Sequence, residues 1–182
     1  MSSKPMHSTC GLDATAVGMH TPTRPLPEVF ATPQSPADEI RHKLLGAWSL
    51  VSWESFSDDG TQSYPLGEDA VGQLMYDDTG RVSAQLVRPN QQRFQSDDWR
   101  QARPDEMCAA WLNYFGYFGT FTIDTDNDTV THHIESGWFP NLIGTGQIRH
   151  YRFDGDDRLV LDADTAWDNV RIVWRRIKPR IA

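Results

Sequence analysis

Two adjacent histidines stand in the stretch THHIESGWFPNLIGTGQIRH, which runs from Thr131 to His150. An imidazole titrates near neutral pH, so His132 or His133 could act as a general acid or base. His133 and Glu135 form a His-x-Glu pair that could share one face of a strand and hold a metal ion, but no third ligand stands nearby. We therefore expect no metal here. The histidines remain candidates for acid–base chemistry, ligand binding or packing.

The alternation of a β-strand decides which histidine faces an interior, because neighbouring residues point to opposite faces. Val130, His132 and Ile134 share one face, and the apolar neighbours favour His132 as the interior residue. His133 and Glu135 would then face solvent. A polar ligand cavity would reverse the choice, so His133 stays a candidate ligand-binding residue.

The same alternation predicts further polar side chains inside. In GQIRHYRFD, Gln147 and Arg149 share a face with two aromatic residues. In AWSLVSWESF, the face that holds Trp48 also holds Glu54, which we expect inside. A buried charge needs a partner, so Glu54 and Arg149 are candidates to pair with each other or to bind the polar end of a ligand.

Four aromatic residues complete the candidate site. Tyr76 and Tyr117 fall on the predicted interior faces of VGQLMYDD and YFGTFTID, and the loop GWFPNLIGTG supplies Trp138 and Phe139. The plain alternatives are core packing for the tyrosines and a structured turn for the loop. An apolar interior with a few aimed polar groups is nevertheless typical of small-molecule sites.

The elements that must position these residues are mostly strands. After Gly46, eight segments alternate with period two and are separated by polar turns such as SDDG, DDTG and DGDD. This order predicts an all-β, up-and-down antiparallel barrel. SPADEIRHKLLG predicts a short N-terminal helix capped by Ser35, and RPDEMCAAWLNYFGY predicts one inserted helix.

Composition and charge argue against several classes of partner. The net charge of -8, without a Lys/Arg cluster, argues against nucleic acid, and no apolar run approaches the roughly 20 residues of a membrane span. Two cysteines do not make a disulfide framework and no signal peptide is recognisable, so we expect a cytoplasmic protein. Residues 1–35 are expected to form a flexible extension and residues 36–182 the barrel domain. A homodimer stays open.

Several of these segments resemble a known family. LLGAWSLVSWE carries Gly-x-Trp at Gly46 to Trp48, which resembles the lipocalin signature. The longer string YPLGEDAVGQLMYDDTGRVSAQLVRP, with YFGTFTID and VTHHIESGWFPNLIGTGQIRHY, is more specific and resembles the lipocalin-like domain family of calycin-type barrels. The resemblance spans about Leu44 to Ile177. It implies a barrel of about eight to ten strands with an internal ligand cavity, and a basic residue over Trp48, for which Arg176 is the candidate.

Two functional hypotheses follow, because similar barrels serve as carriers and some relatives act as cyclases or isomerases. In the first, a cofactor-independent isomerase or cyclase acts on a hydrophobic, oxygenated molecule. His132 moves the proton, while Glu54 and Arg149, with Gln147 or a tyrosine, hold the oxygen. In the second, a non-catalytic carrier or sensor uses the same groups only to orient its ligand. No nucleotide-binding or nucleophile motif is present, and neither hypothesis requires a cofactor.

Overall fold

The computed structural model describes residues 35–165 and 168–178. The described α-helices are α1 (Pro36–Leu44) and α2 (Pro104–Leu112), and two short 3-10 helices span Trp99–Gln101 and Pro140–Leu142. The strands are β1 (Gly46–Phe56), β2 (Gln62–Ser63), β3 (Val71–Tyr76), β4 (Arg81–Val87), β5 (Tyr114–Asp124), β6 (Thr129–Gly137), β7 (Gly146–Asp154), β8 (Arg158–Asp164) and β9 (Asn169–Arg176). The flexible extension expected over residues 1–35 lies, Ser35 apart, outside the described residues.

The strands form a closed antiparallel barrel. From β3 to β9, each strand pairs with the next along the chain, and β1 pairs with both β3 and β9. The eight long strands therefore close on themselves, while β2 is a two-residue addition to the edge of β1. All eight predicted strand segments are present, and the up-and-down barrel is confirmed.

Helix α1 and the last strand cover one end of the barrel. Ser35 caps the helix, its hydroxyl accepting a hydrogen bond from the backbone N–H of Asp38 at 3.2 Å. The guanidinium carbon of Arg176 lies 4.0 Å from the ring centroid of Trp48. Its Nη1 donates to the backbone oxygen of Leu45 at 2.8 Å. The cation–π contact implied by the family resemblance is thus present, and it ties the strand ends to the helix.

Helix α2 is shorter than its sequence pattern suggests. It ends at Leu112, and Tyr114 already begins β5, where it pairs with Val87 of β4. Glu106 caps the start, its carboxylate accepting from the backbone N–H of Arg103 at 2.9 Å. The aromatic run after the helix therefore extends the sheet, because long-range strand pairing overrides the local helical pattern.

A β-bulge in β1 changes which of its residues face inward. The register with β9 jumps between Leu50 and Ser52, so one extra residue stands there. Such an insertion moves every later side chain to the opposite face. Trp53 packs against the core and Ser55 is buried, whereas Glu54 points outward. The predicted interior position of Glu54 is wrong for this reason.

Candidate functional site

His132 lies at the centre of a buried hydrogen-bonded cluster. Its side chain on β6 is fully buried, and both ring nitrogens have partners. The hydroxyl of Tyr76 on β3 lies 2.7 Å from Nε2, and the hydroxyl of Tyr117 on β5 lies 2.7 Å from Nδ1. The three interior positions predicted by strand alternation are confirmed, and the structure brings these residues together.

Burial keeps all three side chains neutral. It lowers the pKa of His132 well below its usual range, and the nearby Arg149 guanidinium lowers that pKa further. Burial raises the pKa of the Tyr76 and Tyr117 hydroxyls, and Arg149 opposes the rise. A neutral imidazole donates from one nitrogen and accepts at the other. One tyrosine therefore donates to the ring, while the other accepts from it and keeps its own hydrogen for a further bond.

Arg149 on β7 adds a positive charge to this cluster. Its side chain faces the interior as predicted, and the residue is only 7% exposed. Its Nη1 donates to the backbone oxygen of Ile148 at 3.0 Å. No carboxylate in residues 35–165 and 168–178 forms an ion pair with it. Its proximity to His132 and both tyrosines makes it part of the same polar group.

Glu54 does not supply the missing carboxylate. It accepts a hydrogen bond from the Ser52 hydroxyl at 2.9 Å, and its partner on β9 is Arg171, whose side chain is 44% exposed. Directly opposed residues in an antiparallel pair point to the same face, so Glu54 lies on the outer surface. The predicted pair between Glu54 and Arg149 is therefore wrong.

His133 and Glu135 also lie on the outer face. The Nε2 of exposed His133 is 2.8 Å from the Thr122 hydroxyl, and Glu135 forms a salt bridge with Arg81 at 2.6 Å. The alternative in which His133 faces the interior is wrong. Within the described ranges, no three His, Cys, Asp or Glu side chains cluster closely enough to hold a metal ion.

A cavity of about 430 Å³ opens at the end of the barrel opposite α1, and we call it the mouth cavity. Its walls include the rings of Trp53, Phe115, Trp138 and Phe139 and the hydrogen-bonded pair Ser55–Asp168. The Trp53 and Phe115 ring centroids lie 5.2 Å apart. The Nε1 of Trp53 is buried and has no hydrogen-bond partner among the described residues. The mouth cavity is thus walled mainly by aromatic rings.

A second cavity of about 480 Å³ lies beside β7, near the end of β8, and we call it the side cavity. Gln147, Arg149 and Phe139 line it, and Phe139 also lines the mouth cavity. Gln147 faces the interior as predicted, and its Nε2 donates to the Thr145 hydroxyl at 2.8 Å. Of the buried polar cluster, Arg149 reaches this cavity, whereas His132 and its tyrosines line neither of the two.

The predicted site residues therefore fall into three places. His132, Tyr76, Tyr117 and Arg149 form the buried cluster; Gln147, Trp138 and Phe139 line the cavities; Glu54 and His133 lie outside. The sequence interpretation missed Trp53 and Phe115. One signal was available, since Trp48 and Trp53 are five residues apart and can both face inward only across a bulge.

The eight strands form an up-and-down barrel that is covered at one end and holds apolar and polar groups at the other. This is the architecture of a lipocalin-type barrel, a class in which the interior can hold a small molecule. Comparison with protein families agrees, because the lipocalin-like domain matches residues 45–177. The chain belongs to this family.

Relatives and solved structures give further comparisons. A 4'-hydroxy-3'-methoxypropiophenone carrier protein of Aspergillus oryzae is 33% identical over 81 residues, which cover 41% of this chain and 73% of that protein. Two redesigned β-barrels, one bound to DFHBI, cover 76% and 75% of this chain and 95% and 97% of their own, at 16% and 15% identity. Their TM-scores of 0.40 and 0.37 add nothing to the fold assignment. None of the described helices has the length and apolar character that crossing a membrane requires.

Proposed function

We propose that this protein binds a small, hydrophobic, oxygenated aromatic molecule at the open end of its barrel. The observation that carries the proposal is the pair of cavities that share Phe139. One is walled by aromatic rings, and Gln147 and Arg149 help to line the other. Volumes of this size, with mostly apolar walls and a few polar groups, suit small organic ligands.

The aromatic walls of the mouth cavity support an aromatic ligand. Planar rings can pack against Trp53 and Phe115 at the same time, because aromatic side chains favour tilted and offset contacts. The name of the Aspergillus oryzae relative says that it carries an aryl ketone, a molecule with an aromatic ring and an oxygen atom. Membership of the lipocalin-like family supports binding of a small molecule.

Of the two candidate functions, we favour non-catalytic transport or sensing over acid–base catalysis. The hydrogen-bonded series Tyr76–His132–Tyr117 supports the second, because a proton shift along it would change which hydroxyl donates. Such a device would suit a cofactor-independent isomerase or cyclase. A carrier is favoured because these three side chains line neither cavity. A ligand in the side cavity would therefore contact Arg149 and not His132.

The test is calorimetric titration of the protein with 4'-hydroxy-3'-methoxypropiophenone, with native mass spectrometry of the freshly purified protein. We expect saturable binding of one molecule per chain. Trp53→Ala removes one ring of the cavity wall, so it should weaken binding about fivefold to tenfold. Trp99→Ala is the matched control, since Trp99 is 77% exposed and should not affect affinity.

The recovered ligand separates the two functions. A ketone recovered unchanged after long incubation supports a carrier, whereas a converted product that disappears with His132→Phe supports catalysis. The proposal would be contradicted if the protein showed no saturable binding of the ketone and carried no co-purified small molecule. Equal affinity in the Trp53 variant and wild type would remove Trp53 from the site.

A further inference from the structure

Arg149 is a buried cation that has no counter-ion among the residues that the structure describes. The residue is 7% exposed, and the carboxylate once expected for it, that of Glu54, lies on the other side of the sheet. A guanidinium stays protonated in proteins and offers five N–H donors. The Ile148 backbone oxygen accepts one of them, and the Tyr117 hydroxyl is a second neighbour. The charge itself remains unbalanced among the described residues.

The groups around Arg149 do not neutralise it. His132, Tyr76 and Tyr117 are neutral, as argued above. Asp164 also lines the side cavity, but it is exposed and forms no ion pair with Arg149. An unpaired charge is strongly unfavourable in a protein interior. Arg149 lines the side cavity, into which a ligand can bring an anionic oxygen.

We propose that the side cavity binds the carboxylate of an aromatic acid through Arg149, with the Gln147 amide as a second donor. The ring of the ligand extends past Phe139 into the aromatic mouth cavity. Planar guanidinium groups suit carboxylates because two parallel hydrogen bonds can form. This inference rests on the proposed binding function and narrows its ligand to an aromatic acid.

The net charge of the chain does not by itself favour an anionic ligand. The chain carries a net charge of -8, so its long-range field disfavours anions. A preference for a carboxylate would therefore have to arise locally, at the buried Arg149 beside the cavity. Because that cation is shielded from solvent, the preference should also persist when salt screens the surface charges.

The experiment compares two probes of the same shape, 3-phenylpropanoate and 3-phenylpropanamide, by calorimetry at neutral pH in low and high salt. We expect the wild type to bind the acid about tenfold or more tightly than the amide, since hydrogen bonds to charged groups are stronger. Arg149→Met should abolish that preference and leave the amide within about twofold. Arg152→Met is the matched control on the same strand, because its side chain is 61% exposed and faces outward.

Arg149→Lys keeps the positive charge and should keep part of the preference, which separates a charge effect from a folding defect. Equal wild-type affinity for acid and amide, or an acid preference that survives in Arg149→Met, would overturn the inference. Binding of 4'-hydroxy-3'-methoxypropiophenone in the same samples would then leave the proposed function standing. Failure of all three probes to bind would overturn both.

Discussion

The buried histidine should make the stability of this protein depend on pH in a defined window. Its pKa is lowered in the folded state by burial, and next by Arg149, relative to an ordinary value of about 6.5. Below that pH His132 is protonated in the unfolded chain but stays neutral in the folded chain. Stability contributed by His132 is therefore complete above about pH 6.5 and is lost as the pH falls below it.

The size of the effect follows from one proton. With the folded pKa well below the window, the loss is about 1.4 kcal/mol at about pH 5.5 and about 2 kcal/mol at about pH 5. Protonation would turn both ring nitrogens into donors and add a cation beside Arg149. Urea unfolding followed by tryptophan fluorescence, from about pH 7.5 to about pH 5, gives the free energy of unfolding at each pH.

His132→Gln should flatten this dependence, whatever its effect on absolute stability. His133→Gln is the matched control, because it removes the exposed imidazole of the same strand and keeps the buried one. The carboxylates contribute equally to all three proteins and cancel in the differences. The reasoning is refuted when wild type and His132→Gln lose the same free energy over this range.

Three further substitutions test other parts of the structure. Arg149→Met should raise the melting temperature of the ligand-free protein by several degrees, because it removes a buried charge that has no ion-pair partner among the described residues. A lower melting temperature, measured by circular dichroism, would contradict this. Arg176→Met should lower the free energy of unfolding by about 2 kcal/mol, because it removes the cation over Trp48 and its hydrogen bond to the Leu45 carbonyl. An unchanged midpoint of urea unfolding would contradict this. Glu54→Gln should change ligand affinity by less than about twofold in calorimetry, and a tenfold loss would place Glu54 inside after all.

Strand alternation was sufficient to predict most of the barrel interior. His132, Tyr76, Tyr117 and Arg149 lie on four strands whose in–out alternation holds around them, although the β5–β6 pairing shifts register after Phe118. Each of the four faces the interior, as its apolar neighbours indicate. Period-two patterns are local, so a sequence reveals them wherever the strand is regular. The sequence did not show that these side chains meet, because their contacts join distant strands.

The failures have physical causes of the same kind. Glu54 was misplaced because the bulge after Leu50 is fixed by pairing with β9, far along the chain. The wall formed by Trp53 and Phe115 joins β1 to β5, and a sequence does not show that two residues of distant strands meet. The end of α2 moved for a related reason, since pairing with β4 draws Tyr114 into a strand.

The central claim is that a small aromatic molecule occupies the open end of the barrel. A crystal structure of the protein soaked with 3-phenylpropanoate tests it most directly. The account predicts density for the ring beside Trp53, Phe115 and Phe139, with the carboxylate within hydrogen-bonding distance of Arg149. A ligand bound on the outer face of the sheet, with both cavities empty, would contradict it.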